Sequence, residues 1–287
     1  MYKSTNTISR IQAVNPDKIL TDIGATRNDN LRVSVQEYGD TPSVDAFARL
    51  RVSENFTIFD SKQLHDPNDI YFDEQLISGS GITAVHNDDT ASSTISSTNL
   101  TAGRFVRQTY RRFNYEPGRS FLVYLTAVLA IETPNAIGVQ RRIGYYDDNN
   151  GIFFEQNENG LAAVLRSHVT GSPVDTYIYQ NDWDIDQMDG TGPSGIVLDI
   201  TKIQIFVINF QWLGAGQVLF AFNIDDILYN VHAIRTTNIA TNVYMSNPNL
   251  PIRYELITTS SSPAVSLKEN SCAVISEGSN EMSSLVL

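Results

Sequence analysis

The sequence predicts an all-β protein, a jelly-roll-like β-sandwich with an extended N-terminal arm and loop-rich insertions. Three observations carry this expectation. Apolar and polar residues alternate in many short runs; no 3.6-residue period lasts beyond two turns; and Gly, Asn, Asp and Pro interrupt the runs at short intervals. No fixed-period repeat is present, which argues against propellers and solenoids.

At 287 residues the chain has room for one large β domain or two smaller ones. It reads as an arm at 1–30, a loop-rich β region at 31–100, a sandwich core at 101–260 and a C-terminal tail at 261–287. The arm is polar, yet Ile8, Ile11 and Val14 fall at helical spacing, and Ile19, Leu20 and Ile23 follow. These residues are too few for a core and too many for a solvated linker. They are candidates for docking on a neighbouring subunit, with a frayed terminus as the alternative.

From Leu31 the period changes to two, with Leu31, Val33 and Val35 on one side. A Ser/Thr tract at 91–98 reads equally as a polar strand or a loop. Phe105–Phe113 alternates, with Val106, Gln108, Tyr110 and Arg112 sharing a side. Phe121–Ile131 and Ile137–Tyr146 are rich in β-branched and aromatic residues, and Thr133-Pro134-Asn135 separates them. Asn150-Gly151 and Asn159-Gly160 mark hairpin turns. Val174–Gln180 alternates again. Ile203–Trp212, Val218–Ile224 and Ile227–Ile234 form three successive strands, and Ile252–Ile257 closes the set. Ile203, Ile205, Val207, Phe210, Val218, Phe220, Phe222 and Tyr229 are expected to share one core.

The net charge of −12 argues against a nucleic-acid binder, since phosphate neutralisation needs a basic surface. Fifteen of the twenty basic residues are Arg, which favours forked contacts at protein interfaces. Cys272 is the sole cysteine, which excludes an intrachain disulfide; it reads as a small buried apolar residue. Met1–Arg10 has no apolar leader and no run is long enough to span a bilayer, so cytoplasmic synthesis without a membrane partner is expected.

Asp182, Asp184 and Asp186 begin like a calcium loop, but Gln187 and Pro193 stand where that loop needs Gly and Glu. A looser calcium site on the three aspartates competes with a solvated acidic loop; no other cofactor is called for. The four histidines lack metal-ligand spacing. Glu155 with Glu158, or Asp182 with Asp184, are the carboxylate pairs a glycosidase would need. Trp183, Trp212 and the tyrosines are candidates for stacking on sugars. Arg104, Arg107, Arg111, Arg112, Arg119, Arg141 and Arg142 lie among Phe105, Tyr110, Phe113 and Tyr115. Such interleaving suits either nucleic-acid stacking or a protein interface, and the acidic net charge favours the interface.

Three blocks resemble structural proteins of tailed phages. The first is Val44-Asp45-Ala46-Phe47-Ala48-Arg49-Leu50-Arg51-Val52-Ser53, continuing to Phe59-Asp60-Ser61-Lys62. The second runs from Trp183 to Asp199 around Asp189-Gly190-Thr191-Gly192-Pro193-Ser194-Gly195. The third runs from Tyr244 to Glu255. Ala48 departs from the pattern, where Gly is expected. The resemblance implies a virion component, made in the host cytoplasm, assembled with other virion proteins and with copies of itself. It implies a place in the tail, baseplate, neck or capsid surface, and no catalytic residues. A carbohydrate-binding host-adsorption module and a virion-associated glycan hydrolase are the rival expectations.

Overall fold

A computed structural model describes residues 12–14, 20–22 and 55–278. The chain divides into two units, Met1–Val52 and Ser53–Leu287. The described part of the first is an antiparallel pair, β1 (Gln12–Val14) and β2 (Leu20–Asp22), with Gln12 opposite Asp22. Val14 therefore ends a strand, contrary to the helical spacing of the arm. Ile8, Ile11, the Leu31–Val35 alternation and the Val44–Val52 block lie outside the described residues.

The second unit is built from fifteen antiparallel strands in two sheets. They are β3 (Asn55–Lys62), β4 (Phe72–Gly79), β5 (Ile82–Asn87), β6 (Ser92–Ser97), β7 (Gly103–Thr109), β8 (Ser120–Val128), β9 (Val139–Tyr146) and β10 (Gly151–Asn157). After them come β11 (Gly160–Ser167), β12 (Val174–Tyr179), β13 (Gln204–Phe210), β14 (Gln217–Ile224), β15 (Ile227–Arg235), β16 (Ile252–Thr258) and β17 (Val265–Glu277). The seven-stranded sheet runs β12-β11-β10-β9-β16-β7-β4. The eight-stranded sheet runs β15-β14-β13-β8-β17-β6-β5, with β3 also paired to β17. The only helical segments among the described residues are short 3-10 turns at Asp88–Thr90 and Gln180–Asp182. No helix among them is long and apolar enough to cross a membrane.

The chain changes sheet eight times, at β3–β4, β4–β5, β6–β7, β7–β8, β8–β9, β12–β13, β15–β16 and β16–β17. Strand β16 fits between β9 and β7, while β17 fits between β8 and β6. The all-β, jelly-roll-like expectation matches this architecture, but the expected boundaries do not. Strands β3 to β6 belong to the sandwich rather than to a separate loop-rich region. Residues 265–277 are central to the eight-stranded sheet, not a tail: β17 pairs with β8 along one edge and with β6 and then β3 along the other. A bulge beside Asn270 hides this strand in the sequence, because it shifts the phase of alternation. Val265, Leu267 and Glu269 are buried before it, Cys272 and Val274 after it.

The main core fills the space between the sheets. Phe154 and Phe222 lie with ring centroids 5.3 Å apart, and Phe206 and Phe220 pack on Phe154 at 5.2 and 5.1 Å. The expected core needs one correction. In β13, Phe206, Ile208 and Phe210 face this core, while Val207 joins Leu122 and Ala221 on the sheet's other face with Ile205 packed against them. Ile203 is exposed. Side chains alternate along a strand, so Ile205 and Val207 cannot share a face with Phe210.

Candidate functional site

The outer face of the seven-stranded sheet holds an unusual set of side chains. Ile143, Tyr145, Ile152, Phe154, Tyr254 and Leu256 point into the main core. Their alternates therefore point outward, and the strand register aligns them. One row crosses the sheet as Tyr179, Ala162, Glu155, Arg142, Glu255 and Val106. The next crosses as Tyr177, Val164, Phe153, Gly144, Arg253 and Gln108.

Arg142 is the centre of the first row. Its Nε donates to Glu155 Oε2 at 2.6 Å, its Nη1 to Glu255 Oε2 at 3.3 Å and its Nη2 to Gln140 Oε1 at 3.1 Å. Glu255 also accepts from Arg104 Nε at 2.5 Å and from the Tyr146 hydroxyl at 3.2 Å. Glu155 accepts from Asn157 Nδ2 at 2.7 Å and from the Tyr177 hydroxyl at 3.3 Å. Arg166 makes two bonds of 2.7 Å to Asp175. Asp148 Oδ1 accepts from Arg104 at 2.6 Å and from Arg253 at 2.7 Å.

These groups rest on an aromatic floor. Tyr146 and Phe153 are buried with ring centroids 4.4 Å apart. The guanidinium of Arg166 lies 5.1 Å from the Phe153 centroid, and that of Arg253 lies 5.3 Å from the Tyr146 centroid. Gly144 makes the close packing possible. A Cβ there would come within 2.5 Å of the Phe153 backbone on the adjoining strand.

Burial alone would draw Arg142 down, but Glu155 and Glu255 outweigh it and hold the guanidinium above its ordinary range. Burial pushes Asp148 up, yet hydrogen bonds from Arg104 and Arg253 prevail and bring it down to about 2. Tyr177 is pushed up to about 12, first by burial and then by Glu155. The four guanidiniums of Arg104, Arg142, Arg166 and Arg253 balance the carboxylates of Asp148, Glu155, Asp175 and Glu255. These eight groups thus form a lattice of fixed donors and acceptors whose charges balance one another, with Glu158 beyond it along an adjoining cavity.

A cavity of about 370 Å3 opens on this face between Arg104, Arg142, Asp148, Arg166, Pro173 and Asp175, with Ile257 at its border. A second, of about 220 Å3, begins at the same Ile257 and continues past Gln140, Asn157 and Glu158. Tyr177 and Tyr179 stack at 6.0 Å on the half-buried edge strand beside it.

The arginines singled out in the sequence are not one surface. Only Arg104 and Arg142 reach this site. Arg107 points the other way and is fully buried, paired with Glu269 and Glu74, so it is out of reach of a partner chain. Arg141 is buried too, donating to the carbonyls of Thr133, Pro134 and Ser266; burial draws it down to about 10, so it stays charged at neutral pH. Arg112 pairs with Asp147 at 2.6 Å and Arg119 with Glu116 at 2.7 Å. Arg111 is exposed, donates to the Ile58 carbonyl at 3.0 Å and lies over Phe113.

The aspartates of the expected calcium site do not converge. Asp184 contacts Arg235 at 2.7 Å and His232 at 2.9 Å. Asp186 turns to the backbone N–H groups of Met188 and Ser194, both at 2.9 Å. Asp182 is exposed. Among the described residues no group of three His, Cys, Asp or Glu side chains is placed to hold a metal ion. Asp186 has a structural part instead: it closes the Asp-Gly-Thr-Gly-Pro-Ser-Gly loop, where a Cβ at Gly192 would sit 2.1 Å from its Oδ1. The tryptophans are also spent on structure. Trp183 is buried and donates to the Ile178 carbonyl, and half-buried Trp212 donates to that of Met245.

Arg166, Asp175, Arg253 and Glu255 were not singled out from the sequence. Their alternation within strands was legible; the adjacency of β9 to β16, more than a hundred residues apart, was not.

No known family description matches the chain, and no curated protein matches its sequence. Solved structures do resemble it. An endo-1,3-β-glucanase from Streptomyces sioyaensis superposes with a TM-score of 0.51 at 9% identity, over 81% of this chain and all of that one. The CBM2 module of the evolved Dit of Lactobacillus casei BL23 phage J-1 gives 0.47 at 7% identity, over 80% of this chain and 99% of that one. A legume lectin-like domain from Entamoeba histolytica gives 0.41 at 11% identity, over 71% and 89%. The glucanase likeness shows a shared β-sandwich fold; identities this low say nothing of function.

Proposed function

We propose that the chain is a non-catalytic, carbohydrate-binding component of a tailed-phage particle, with its ligand site on the outer face of the seven-stranded sheet. The observation that carries this reading is the charge-balanced lattice around Arg142, open to solvent through the adjoining cavities. Fixed donors and acceptors without net charge suit a neutral polyhydroxyl ligand, and the Tyr177–Tyr179 stack offers an apolar edge for a sugar ring. Catalysis fits less well. Hydrolysis needs one carboxyl free to give a proton and a second facing it across the scissile bond. Glu155 and Glu255 are both buried and both held by Arg142, and Glu158 is exposed at a hairpin tip.

The place in a particle rests on the three sequence blocks. An interface built on the whole arginine cluster has less support, because Arg107 and Arg141 are buried. A glycan array with the purified chain tests the binding. Signal on neutral glycans, lost in Arg166→Ala, is expected; a blank array overturns the reading. Mass spectrometry of purified particles should detect the chain, and its absence there would refute the virion assignment.

A further inference from the structure

The 220 Å3 cavity ends at the turn joining β10 to β11, and a third cavity, of about 240 Å3, begins on the other side of that turn. Asn159 lines both, as Ile257 lines the first two. We infer that the third cavity is a further subsite, which takes the next unit of the same neutral glycan. The inference rests on the carbohydrate reading and extends it to a chain of at least three units.

The lining supports this on chemical grounds. Gln156, Asn159, Gln180 and Asn181 supply carboxamides, each with a donor and an acceptor end, while Tyr179 and Leu198 supply apolar surface. No charged residue lines the cavity. Gln156 adds the most specific feature. Its amide nitrogen donates to the carbonyls of Pro134 and Asn157, both at 3.1 Å, and to Asn135 Oδ1 at 2.6 Å. Those three acceptors fix which end of the amide is which. Its Oε1 is then left buried, with no donor among the described residues. Buried acceptors are normally paired. A sugar hydroxyl can donate to this oxygen, whereas a deprotonated carboxylate or a phosphodiester cannot.

The side-chain amides make the test direct. The full chain, labelled with 15N, is titrated with laminarihexaose, cellohexaose and maltohexaose, and the NH2 signals of Gln156, Asn159 and Asn181 are followed beside the Arg142 and Arg166 side-chain signals. Shifts in both groups are expected with at least one hexasaccharide. Shifts at the arginines alone overturn the third subsite and leave the carbohydrate reading standing. No shift anywhere with any of the three overturns both. Asn181 is exposed, so Asn181→Ala should fold; it should weaken the binding hexasaccharide by about threefold to tenfold, the loss of one hydrogen bond. Unchanged affinity would count against the subsite.

Discussion

Arg107 of β7 and Glu269 of β17 form an ion pair that joins the two sheets through the core. The same guanidinium also pairs with Glu74 on β4 and donates to Gln63 Oε1 at 3.2 Å, which ties the segment before β4 to the sandwich. Removing one partner of a buried pair leaves the other charge uncompensated, and Arg107→Met should cost about 3–5 kcal/mol. Urea unfolding checks this. Burial raises the Glu269 carboxyl above its ordinary 4.5, with Arg107 opposing the rise. A raised folded-state value means the folded chain binds the proton more tightly, so stability is lost as pH climbs through that value. Without Arg107 the rise grows. The deficit of the variant should therefore shrink towards pH 4.5 and widen above it.

Phe220 is fully buried against Phe154, with ring centroids 5.1 Å apart. Phe220→Ala should cost about 3–5 kcal/mol from lost transfer energy and the cavity left behind. Phe154→Ala should cost about as much, and the double variant less than the sum, because the two rings share one contact. Additive losses in denaturant unfolding would mean that the cavity collapses independently at each site.

Much of this core was legible because β13 and β14 are apolar runs closed by Gly214-Ala215-Gly216. Period-two alternation then needed only the correct phase to separate Phe206 from Val207. The polar site was less legible for a physical reason. Arg142 and Glu155 lie within one hairpin, but their pairing follows from a four-residue turn at 147–150; with Asn150-Gly151 as a two-residue turn Arg142 would face Asn159 instead. Glu255 reaches Arg142 only because β16 inserts between β9 and β7, a long-range pairing that no local pattern encodes. Arg107 shows the same limit. It lies in a run of arginines and aromatics that reads as surface, and only the distant Glu269 explains its burial.

Asp148 provides a pH test on the outer face. Its carboxyl is brought down to about 2 because, against the effect of burial, two arginines donate to it. A depressed folded-state value contributes stability that is present above the ordinary 3.8 and lost as pH falls towards about 2. Asp148→Asn should flatten the acid limb of the stability profile in that window. The effect should be small, since the side chain is 64% exposed and well screened. Thermal melts between pH 5 and pH 2 would show it, and an unchanged limb would mean that Asp148 is not held down by its arginines in the folded chain.

Cys272 is buried in β17 opposite Leu125 of β8, and burial pushes its thiol far above the ordinary range. The thiolate is the reactive form, so the native chain should be inert to a thiol reagent such as dithiobisnitrobenzoate. Reaction should appear only with global unfolding, because β17 is central to its sheet and cannot fray alone. Its rate in rising urea should therefore follow the unfolding transition seen by circular dichroism. Reaction well before that transition would reveal local opening of β17.

Arg166 gives the sharpest test of the outer face as a binding surface. Its guanidinium forks onto both oxygens of Asp175 at 2.7 Å, donates to the Asp147 carbonyl at 3.2 Å and covers the Phe153 ring. One planar group therefore fixes β12 against β11 and forms one wall of the 370 Å3 cavity. Arg166→Lys keeps the charge but cannot fork or stack in the same way. If the charge alone mattered, the lysine variant would bind glycan like the native chain. If the fixed geometry matters, both Arg166→Lys and Arg166→Ala should lose about tenfold or more in affinity, roughly 1.4 kcal/mol. Isothermal titration with a glycan selected from the array separates the two cases. The Tyr177 hydroxyl donates to Glu155 at 3.3 Å and, at 3.5 Å, to an Asp175 oxygen that Arg166 also holds, so it moves with the fork and reports on it. The backbone amide signals of β12 should keep their strand shifts in the lysine variant, so that weaker binding there reports the lost fork rather than a disordered sheet edge.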